Sequence, residues 1–361
     1  MRIVVTGTRG IPDIQGGVET HCENLFPRLA EKGHHITILR RDCYVPAGDR
    51  LTSWKGVELV DIRTPRYKSF EAIIHTWRSV WYAKRAKADI IHIHAIGPAL
   101  LTPLARMLGM KVVMTHHGPD YDRDKWGFLA KAMLRLGERL GARYSHRVIV
   151  ISKVIENLLH RKYGDVPTRL IYNGVETPQL ASETDYISSL GLEKGKYVVA
   201  IGRFVKEKNF HHLIEAFAKA APEGFRLAIA GDADHPDSYS QKLRRLAEEN
   251  GVVLTGFIKG RKLNQLMSHA RLFCLPSSHE GLPIALLEAM SYQLDVAVSD
   301  IPANRIPELE ESDFFPVGDI DALSRLIARK LDSGNEKRSY DLSSYNWDNI
   351  ANATDALYRE L

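Results

Sequence analysis

Cysteine is scarce in this sequence of 361 residues, which has only Cys22, Cys43 and Cys274. The number is odd, the positions are far apart, and no two of them have the short spacing of paired metal ligands. These features argue against a disulfide framework and against a cysteine-based zinc site. We therefore expect buried, reduced thiols.

Long apolar runs are also missing. No stretch of about 18 uncharged apolar residues is present, so the sequence predicts no transmembrane helix. The chain enters a strand-like run at its first residues without a preceding apolar signal region, which favours a cytoplasmic location. With 44% apolar and 26% charged residues, the composition is that of a soluble globular protein, and the length suggests about two domains.

Charge is distributed unevenly along the chain. Residues 1–180 contain 28 Lys and Arg against 17 Asp and Glu, a net charge of +11, whereas residues 181–361 contain 21 against 27, a net charge of −6. A basic half suggests an anionic partner such as a phosphorylated acceptor or a membrane surface, although a contribution to solubility explains it equally well. We expect no nucleic-acid partner.

Short apolar runs alternate with amphipathic stretches over the whole chain, which is the pattern of βα units around parallel sheets. The predicted strands are residues 2–7, 35–40, 90–95, 111–117, 147–152 and 169–174 in the first half, and 197–203, 225–231, 252–256, 271–277 and 295–300 in the second. Gly, Pro, Ser and acidic residues interrupt the pattern at 173–185. The sequence thus predicts an α/β protein with domains at 1–178 and 179–345 and a final helix at 346–361. Ligands of such sheets bind at the carboxyl ends of the strands.

The first βα loop resembles a dinucleotide-binding turn only superficially. Gly7 and Gly10 are separated by two residues and Gly16-Gly17 comes later, so the three-glycine Rossmann fingerprint is not met. Gly16-Gly17 can instead open the helix predicted at 18–34, whose free N–H groups suit a phosphate. A simple turn is the alternative, and this loop alone does not decide between them.

A second pattern keeps an oxidoreductase open as an alternative. Tyr121 and Lys125 have the Y-x-x-x-K spacing of the catalytic pair in short-chain dehydrogenases. That family also requires a serine roughly a dozen residues upstream, and residues 106–112 contain none. The pattern therefore argues only weakly for an NAD(P)-dependent enzyme.

Two glutamates mark a candidate site in the second half. Glu280 lies in a predicted turn, Pro283 suits the first position of the helix that follows, and Glu288 lies within that helix. The positive end of a helix favours a diphosphate, and a carboxylate accepts hydrogen bonds from sugar hydroxyls. Arg203 and Lys208, which follow a predicted strand end at Gly202, supply cations for the phosphates. Together these residues predict a clamp for a diphosphate.

Two other enzyme classes use carboxylates differently. If residues 280–288 were wholly helical, the carboxylates of Glu280 and Glu288 would lie roughly 12 Å apart along the helix axis. The two catalytic carboxylates of a glycosidase need a separation of about 5 to 9.5 Å. The D-x-D strings 232–234 and 122–124 fit the cation site of metal-dependent glycosyltransferases, but such triplets arise readily by chance. We therefore expect neither a hydrolase nor a metal requirement.

Taken in order, Gly16-Gly17, the string LIYNGV at 170–175, Gly202-Arg203 with Lys208, and EGLPIALLEAM at 280–290 resemble glycosyltransferase family 4. The resemblance covers nearly the whole chain. It implies retaining enzymes of GT-B fold, in which two Rossmann-like domains face a central cleft and a C-terminal helix crosses back to the first, acceptor-binding domain. Residues 8–25 and 116–127 also resemble a subset from bacterial surface-polysaccharide assembly, often rhamnosyltransferases.

The resemblance implies a role for each matching residue. Arg203 and Lys208 would bind the donor diphosphate and stabilise it as it leaves, Glu288 would accept the ribose hydroxyls, and Glu280 would contact the hexose. Gly17 would offer its N–H to the distal phosphate, and His117 would lie beside the reacting sugar, with His116 as a structural neighbour. The candidate catalytic residues are His117, Arg203, Lys208 and Glu280, and the candidate donor-binding residues are Gly16, Gly17, Gly202, Arg203, Lys208, Gly256, Phe257, Glu280, Gly281, Leu282 and Glu288.

The expected reaction moves a hexose or deoxyhexose from a nucleoside-diphosphate sugar, with UDP favoured, to a glycan or lipid-diphosphate-linked acceptor. We expect retention at the anomeric carbon and no cofactor or metal. A non-catalytic sugar-nucleotide sensor, a GT-B epimerase and a phosphorylase remain alternatives, although no lysine site for pyridoxal phosphate is evident.

Two segments, 66–87 and 126–147, are rich in basic and aromatic residues. They suggest that the protein contacts the anionic inner face of the cytoplasmic membrane. The alternative is a core-packing helix with a solvated basic face.

Overall fold

The computed structural model describes residues 1–45, 48, 50–65, 71–122, 127–234, 236–333 and 337–361. The chain divides into two compact units. The N-terminal unit consists of residues 1–174 and 344–361, and the C-terminal unit of residues 175–343. From the sequence, these divisions were predicted at 178/179 and 345/346.

Some sequence patterns include residues outside the described ranges. They are the Y-x-x-x-K pattern at 121–125, the D-x-D string at 122–124 and the basic segments 66–87 and 126–147.

The N-terminal unit alternates strands and helices. Its elements up to residue 170 are β1 (Arg2–Thr6), α1 (Gly17–Glu31), β2 (His35–Arg41), β3 (Ser53–Trp54), β4 (Val57–Ile62), α2 (Glu71–Arg85), β5 (Ile90–His94), α3 (Thr102–Met107), β6 (Lys111–His116), α4 (Phe128–Tyr144), β7 (Arg147–Val150), α5 (Lys153–Tyr163) and β8 (Thr168–Leu170). The strands form one sheet in the order β3-β4-β2-β1-β5-β6-β7-β8. All neighbouring pairs are parallel except β3 with β4.

The C-terminal unit repeats the pattern on a smaller sheet. Its elements are α6 (Asp185–Ser189), β9 (Tyr197–Ile201), α7 (Phe210–Ala220), β10 (Arg226–Ala230), α8 (Ser238–Glu249), β11 (Val253–Gly256), α9 (Gly260–Ser268), β12 (Leu272–Leu275), α10 (Ile284–Ser291), β13 (Asp295–Ser299), β14 (Phe314–Phe315) and α11 (Ile320–Asp332). The strand order is β11-β10-β9-β12-β13-β14, and every pair is parallel. The predicted fold class, two Rossmann-like parallel-sheet units, is confirmed.

The last helix, α12 (Trp347–Arg359), belongs to the N-terminal unit. Its apolar face carries Trp347, Ile350 and Tyr358, which are buried in one core cluster with Phe26 of α1. The alternation of side chains along a strand explains the second cluster of this unit, since Val4 of β1 points to the opposite face of the sheet from Ile3. Each face of the N-terminal sheet therefore has its own hydrophobic layer.

All eleven predicted strands overlap an observed one, whereas β3, β4 and β14 were not predicted. β3 and β14 have two residues each, too few for a periodic pattern. In β4 the charged residues Glu58 and Asp61 interrupt the apolar run, and their partners lie across the sheet on β2, where Thr37 and Arg40 donate at 2.8 and 2.7 Å. None of the helices in the described ranges combines the length and apolarity needed to cross a membrane.

Candidate functional site

The loop after β1 folds over the start of α1 and is held there by Glu19. One Glu19 oxygen accepts hydrogen bonds from the backbone N–H of Arg9 at 3.0 Å and from the Thr8 hydroxyl at 3.2 Å, and the other accepts from the Arg9 guanidinium at 3.1 Å. Arg9 also donates to the carbonyl of Gln15 at 2.7 Å. Because Arg9 and Glu19 are both buried, their ion pair fixes the shape of this loop.

The two glycines that end this loop have different surroundings. A Cβ on Gly16, which has φ +150°, would lie 2.1 Å from a Glu19 oxygen and 2.4 Å from an Arg9 nitrogen. A Cβ on Gly17, the first residue of α1, would meet nothing within 4 Å. Gly16 is thus required by packing, while Gly17 presents its backbone to open space at a helix N-terminus, where an anion is favoured.

His116, the last residue of β6, lies in a buried polar network. The N–H of Gly118 donates to His116 Nδ1 at 3.1 Å, so the ring donates from Nε2 to Glu138 of α4 at 3.0 Å. Although burial opposes it, hydrogen bonds from His116, Tyr163 and Lys162 lower the pKa of Glu138 to about 2. This network accounts for His116 as a structural residue that anchors the loop following it.

His117 points away from this network into a group of aromatic rings. Its Nε2 lies 2.9 Å from Nδ1 of His94, and its ring centroid lies 5.2 Å from those of both His94 and His21. Burial, reinforced by His116 and His92, lowers the pKa of His117 to about 3, and burial together with His117 lowers that of His21 to a similar value. At neutral pH these imidazoles carry no charge, although His117 as a whole residue is only partly buried.

The loop after β9 carries the two predicted cations of the C-terminal unit. A Cβ on Gly202 would lie 3.3 Å from Cε of Lys208 and 3.2 Å from the Phe210 ring, so glycine lets the lysine stem lie against the backbone. Lys208 ends a 3₁₀ turn just before α7. The turn is tied to the loop after β12, because the Ser278 N–H donates to the Glu207 carbonyl at 2.9 Å. Two βα loops are therefore joined at this edge of the sheet.

Arg203 pairs with the second acid of the D-x-D string. Its guanidinium lies 2.9 Å from a carboxylate oxygen of Asp234, while Asp232 pairs with Arg244 of α8. Both carboxylates of the string therefore have guanidinium partners. Within the described ranges, no three His, Cys, Asp or Glu side chains come together in a group that could hold a metal ion.

Lys208 and Glu280 form one ion pair with an N–O distance of 2.5 Å. The family resemblance implied separate contacts for them, Lys208 with the donor phosphates and Glu280 with the sugar. In the structure both side chains are mostly buried, with 18% and 12% exposure. The cation of the predicted phosphate clamp and the carboxylate predicted at the sugar thus lie side by side.

Glu288 lies in α10, whose first turn follows Gly281, Leu282 and Pro283. The helix begins at Ile284 with Pro283 in the capping position, one residue before the position predicted for the proline. Burial raises the pKa of Glu288 to about 7, and Lys259 opposes this rise. No hydrogen bond to the Glu288 carboxylate comes from any side chain in the described part of the C-terminal unit, so its oxygens remain available.

Gly256 and Phe257, two of the candidate donor-binding residues, lie at the end of β11. Gly256 has φ +70°, and its carbonyl accepts the N–H of Gly231 at 2.9 Å, which ties the end of β11 to the end of β10. Phe257 is 42% exposed. An exposed aromatic ring beside two glycine-containing strand ends is chemically suited to stacking on a base.

The predicted residues thus lie in two groups. One group belongs to the N-terminal unit and contains Gly16, Gly17 and His117; the other belongs to the C-terminal unit and contains Gly202, Arg203, Lys208, Gly256, Phe257, Glu280, Gly281, Leu282 and Glu288. Sequence reasoning missed His21, His94 and the pairing of Asp234. The sequence did contain a signal for His94, because His92 and His94 are polar residues within an apolar run that predicts a strand. In the structure every residue of that strand is buried.

Comparisons with known proteins give consistent results. Residues 15–179 match the model of Glycosyltransferase Family 4, and residues 182–347 match that of Glycosyl transferases group 1. An uncharacterised glycosyltransferase of Methanocaldococcus jannaschii is 24% identical over 99% of this chain and 98% of its own.

Solved structures share the fold. The sucrose-phosphate synthase of Thermosynechococcus elongatus superposes with a TM-score of 0.82 at 22% identity, covering 99% of this chain and 98% of its own. The Anabaena protein HepE in complex with UDP-glucose superposes with a TM-score of 0.74 at 18% identity, covering 100% and 95%.

Proposed function

Since this chain belongs to glycosyltransferase family 4, we propose that it is a retaining, metal-independent enzyme that transfers a hexose or deoxyhexose from a nucleoside-diphosphate sugar. UDP sugars are the first donors to test, because a neighbour of the same fold binds UDP-glucose. The proposal assigns nucleotide binding to the C-terminal unit and acceptor binding to the N-terminal unit, where it also assigns Gly17 to the distal phosphate and His117 to the reacting sugar.

The observation that carries this proposal is the set of groups at the carboxyl edge of the C-terminal sheet. The Lys208 ammonium and the N–H groups at the start of α10 favour the diphosphate, and the Arg203 guanidinium adds a second cation. The unpartnered Glu288 carboxylate suits the two ribose hydroxyls. When the donor binds, a phosphate oxygen takes over part of the Lys208 contact, and Glu280 becomes available to a sugar hydroxyl.

The same groups support a mechanism without an enzyme base. Breaking the bond between the anomeric carbon and the phosphate oxygen leaves negative charge on the phosphate, where Arg203 and Lys208 stabilise it. The acceptor oxygen attacks from the face that the nucleotide leaves, and its proton goes to the departing phosphate. A low pKa makes His117 a weak base, which supports this route.

A donor screen followed by product analysis tests the proposal. We expect a UDP sugar to raise the melting temperature, to be hydrolysed slowly in the absence of acceptor, and to give a product of unchanged anomeric configuration by NMR. Arg203→Ala should lower kcat by about 100- to 1,000-fold. Binding of NAD in place of sugar nucleotides, an inverted product, or complete loss of activity in EDTA would each contradict it.

The acceptor we propose is a glycan or a lipid-diphosphate-linked sugar in bacterial exopolysaccharide, capsule or O-antigen assembly. The basic N-terminal half and the surface described below support an anionic acceptor. A hexose phosphate is the competing acceptor, because a close structural neighbour is a sucrose-phosphate synthase. Incubating the identified donor with each acceptor class separates the two, since only one should accelerate donor consumption.

Three helices of the N-terminal unit support docking at the inner face of the cytoplasmic membrane. Exposed apolar side chains occur on α2 at Trp77 (51%), on α3 at Met107 (84%) and on α4 at Phe128 (88%). These helices adjoin at their C-terminal ends, because Lys84 donates to the Leu108 carbonyl at 2.9 Å and Arg106 to that of Tyr144 at 3.1 Å.

The charge exposed on these three helices supports an anionic bilayer as their partner. Exposed cations on the three helices are Arg78, Lys84, Arg85, Arg106, Arg135, Arg139 and Arg143. The acids within Glu71–Arg85, Thr102–Met107 and Phe128–Tyr144 are Glu71 and Glu138, and both are buried. Apolar groups flanked by cations suit the headgroup region of anionic membranes.

Co-sedimentation with vesicles that contain anionic lipid, compared with neutral vesicles, tests this docking proposal. We expect binding that weakens with salt and is lost in a Trp77→Ser, Phe128→Ser double variant. The matched control is Leu180→Ser, since Leu180 is 48% exposed in the C-terminal unit. Equal binding to neutral and anionic vesicles, or an equal loss in the control, would contradict the proposal.

A further inference from the structure

The contact between His94 and His117 constrains which nitrogen of each ring carries hydrogen. The nitrogens His94 Nδ1 and His117 Nε2 are 2.9 Å apart, and a hydrogen bond between two neutral imidazoles needs one donor and one acceptor. Either His94 donates to His117, or His117 donates to His94. The remaining nitrogen of His94 distinguishes these cases.

His94 Nε2 is buried and has no hydrogen-bond partner among the described residues. If His94 accepted at Nδ1, its neutral ring would carry hydrogen on Nε2, which would bury an N–H without an acceptor. If His94 donates from Nδ1, Nε2 is a bare lone pair. Buried N–H groups without partners are rarer in proteins than acceptors without partners, so the second arrangement is favoured.

The neighbouring ring of His21 follows the same pattern. The amide oxygen of Asn173 lies 3.0 Å from His21 Nδ1, so that nitrogen carries the hydrogen. His21 Nε2 is then a bare lone pair, and it too is buried and unpartnered in the described structure. In this arrangement His21 directs its Nδ1–H toward the Asn173 oxygen, and His94 directs its own toward Nε2 of His117.

The His94 and His117 rings both remain neutral at physiological pH. Burial, together with His92, His117 and His21, lowers the pKa of His94 well below its usual range. At His117 the charge of Glu19 acts to raise the pKa, but burial has the larger effect and lowers it. A neutral pair has one fixed hydrogen between its rings, so the tautomer of His117 is set by His94.

We infer that His94 is a positioning residue whose Nδ1–H holds His117 in the tautomer that carries its own hydrogen on Nδ1. Resting on the proposed function, this makes His117 a hydrogen-bond donor to an oxygen of the bound sugar. It also leaves His117 unable to take the proton of the acceptor hydroxyl, because its outward nitrogen is already protonated.

Long-range ¹H–¹⁵N correlation spectra of the whole protein test the tautomer without any substrate. We expect His117, assigned by loss of its signals in His117→Phe, to show a protonated Nδ1 and a bare Nε2. A protonated Nε2 on His117 would overturn the inference. This measurement is independent of the transferase proposal, so failure of one does not entail failure of the other.

Variants of His94 test the positioning role. His94→Leu removes the donor and should let His117 exchange between tautomers, lowering kcat by about 10- to 100-fold while the donor KM changes less than about threefold. His94→Asn places an amide N–H near the position of Nδ1 and should restore most of kcat. If His94→Leu is folded and its kcat is within about twofold of the original protein, or if His94→Asn is no more active than His94→Leu, the positioning role is wrong.

A matched control comes from His75 of α2. The residue is fully buried and has no side-chain hydrogen-bond partner among the described residues. Burial together with Arg41 lowers its pKa to about 3, although backbone contacts with Leu39 and Arg40 oppose this. His75→Leu should lose a similar amount of buried polar surface but leave kcat and the His117 spectrum unchanged. A drop in kcat equal to that of His94→Leu would show that burial alone explains the effect, and would overturn the inference.

Discussion

Among individual residues, Glu288 is distinguished by a raised pKa and by a carboxylate that accepts no side-chain hydrogen bond within the described part of the chain. If ribose hydroxyls donate to the ionised carboxylate, binding must lower this pKa below its value of about 7 in the free protein. The affinity for a nucleotide sugar should therefore rise as pH increases from 6 to about 7 and level off above it, with proton release on binding. Calorimetry in buffers of different ionisation enthalpy measures both effects.

The control for this prediction is Glu288→Gln, which has the same shape but does not titrate. It should bind a nucleotide sugar more weakly and show no change of affinity over this pH range. The donor diphosphate itself does not titrate there, so a pH dependence that persists in the variant would show that another protein group is responsible.

The same pKa has an opposite consequence for stability. Because folding raises the Glu288 pKa from 4.5 to about 7, the folded protein loses stability as pH rises through this interval and does not regain it above. Glu288→Gln should be more stable than the original protein by about 1–3 kcal/mol at pH 8 and equal to it near pH 4.5. Urea unfolding at the two pH values measures the difference, and a less stable variant at pH 8 would contradict it.

At the scale of single elements, two neighbouring glycines at the start of α1 have different roles. Gly16 is required by packing, and Gly17 is the candidate binding residue. Gly16→Ala would push a methyl group into the buried pair of Arg9 and Glu19 and should lower the free energy of unfolding by about 2–4 kcal/mol. Gly17→Ala should change it by less than about 1 kcal/mol, since its Cβ meets nothing. Chemical denaturation compares the pair, and equal destabilisation of both would contradict the assignment.

Gly17→Ala also tests the phosphate role of this helix start. A methyl group at Gly17 projects into the space that a phosphate would approach. The variant should therefore keep its stability and show a higher KM for the donor sugar nucleotide, whereas an unchanged KM would remove Gly17 from the site.

At the scale of the whole molecule, α12 completes the core of a unit that begins some 340 residues earlier in the chain. Trp347 is 2% exposed, and a Cβ on Gly174 would lie 2.3 Å from its ring, so the contact admits no larger residue. Trp347→Ala should lower the free energy of unfolding of the N-terminal unit by about 3–5 kcal/mol. Trp77→Ala, which truncates a half-exposed tryptophan, should change it by less than about 0.5 kcal/mol.

Scanning calorimetry checks this prediction and adds a test of the two units. Each has its own core, so the Trp347→Ala protein should still bind a sugar nucleotide below its first melting transition. If Trp347→Ala melted like the original protein, α12 would not contribute to the core as its burial indicates.

Much of the fold was predictable because buried segments have a recognisable local pattern of apolar residues. Runs such as IIHIHA and YVVAIG alternate or cluster apolar residues over a few positions, and this pattern located the strands. The strands that escaped prediction are those whose pattern depends on a neighbour: β4 tolerates Glu58 and Asp61 because Thr37 and Arg40 of β2 face them. Similarly, the residue types and the family resemblance gave Lys208 and Glu280 two separate roles, and only the approach of two loops made them a pair.

The order of βα units, the glycines at strand ends and the acidic motif before α10 were determined by the sequence itself, because each is a property of a short segment. Tertiary structure alone decided that Glu19 closes the first loop, that His94 faces His117, and that Arg203 meets Asp234. Glu19 lies only ten residues from Arg9, whereas the other two contacts join residues 23 and 31 positions apart. In all three cases the geometry depends on how strands align and helices pack, which no local pattern specifies.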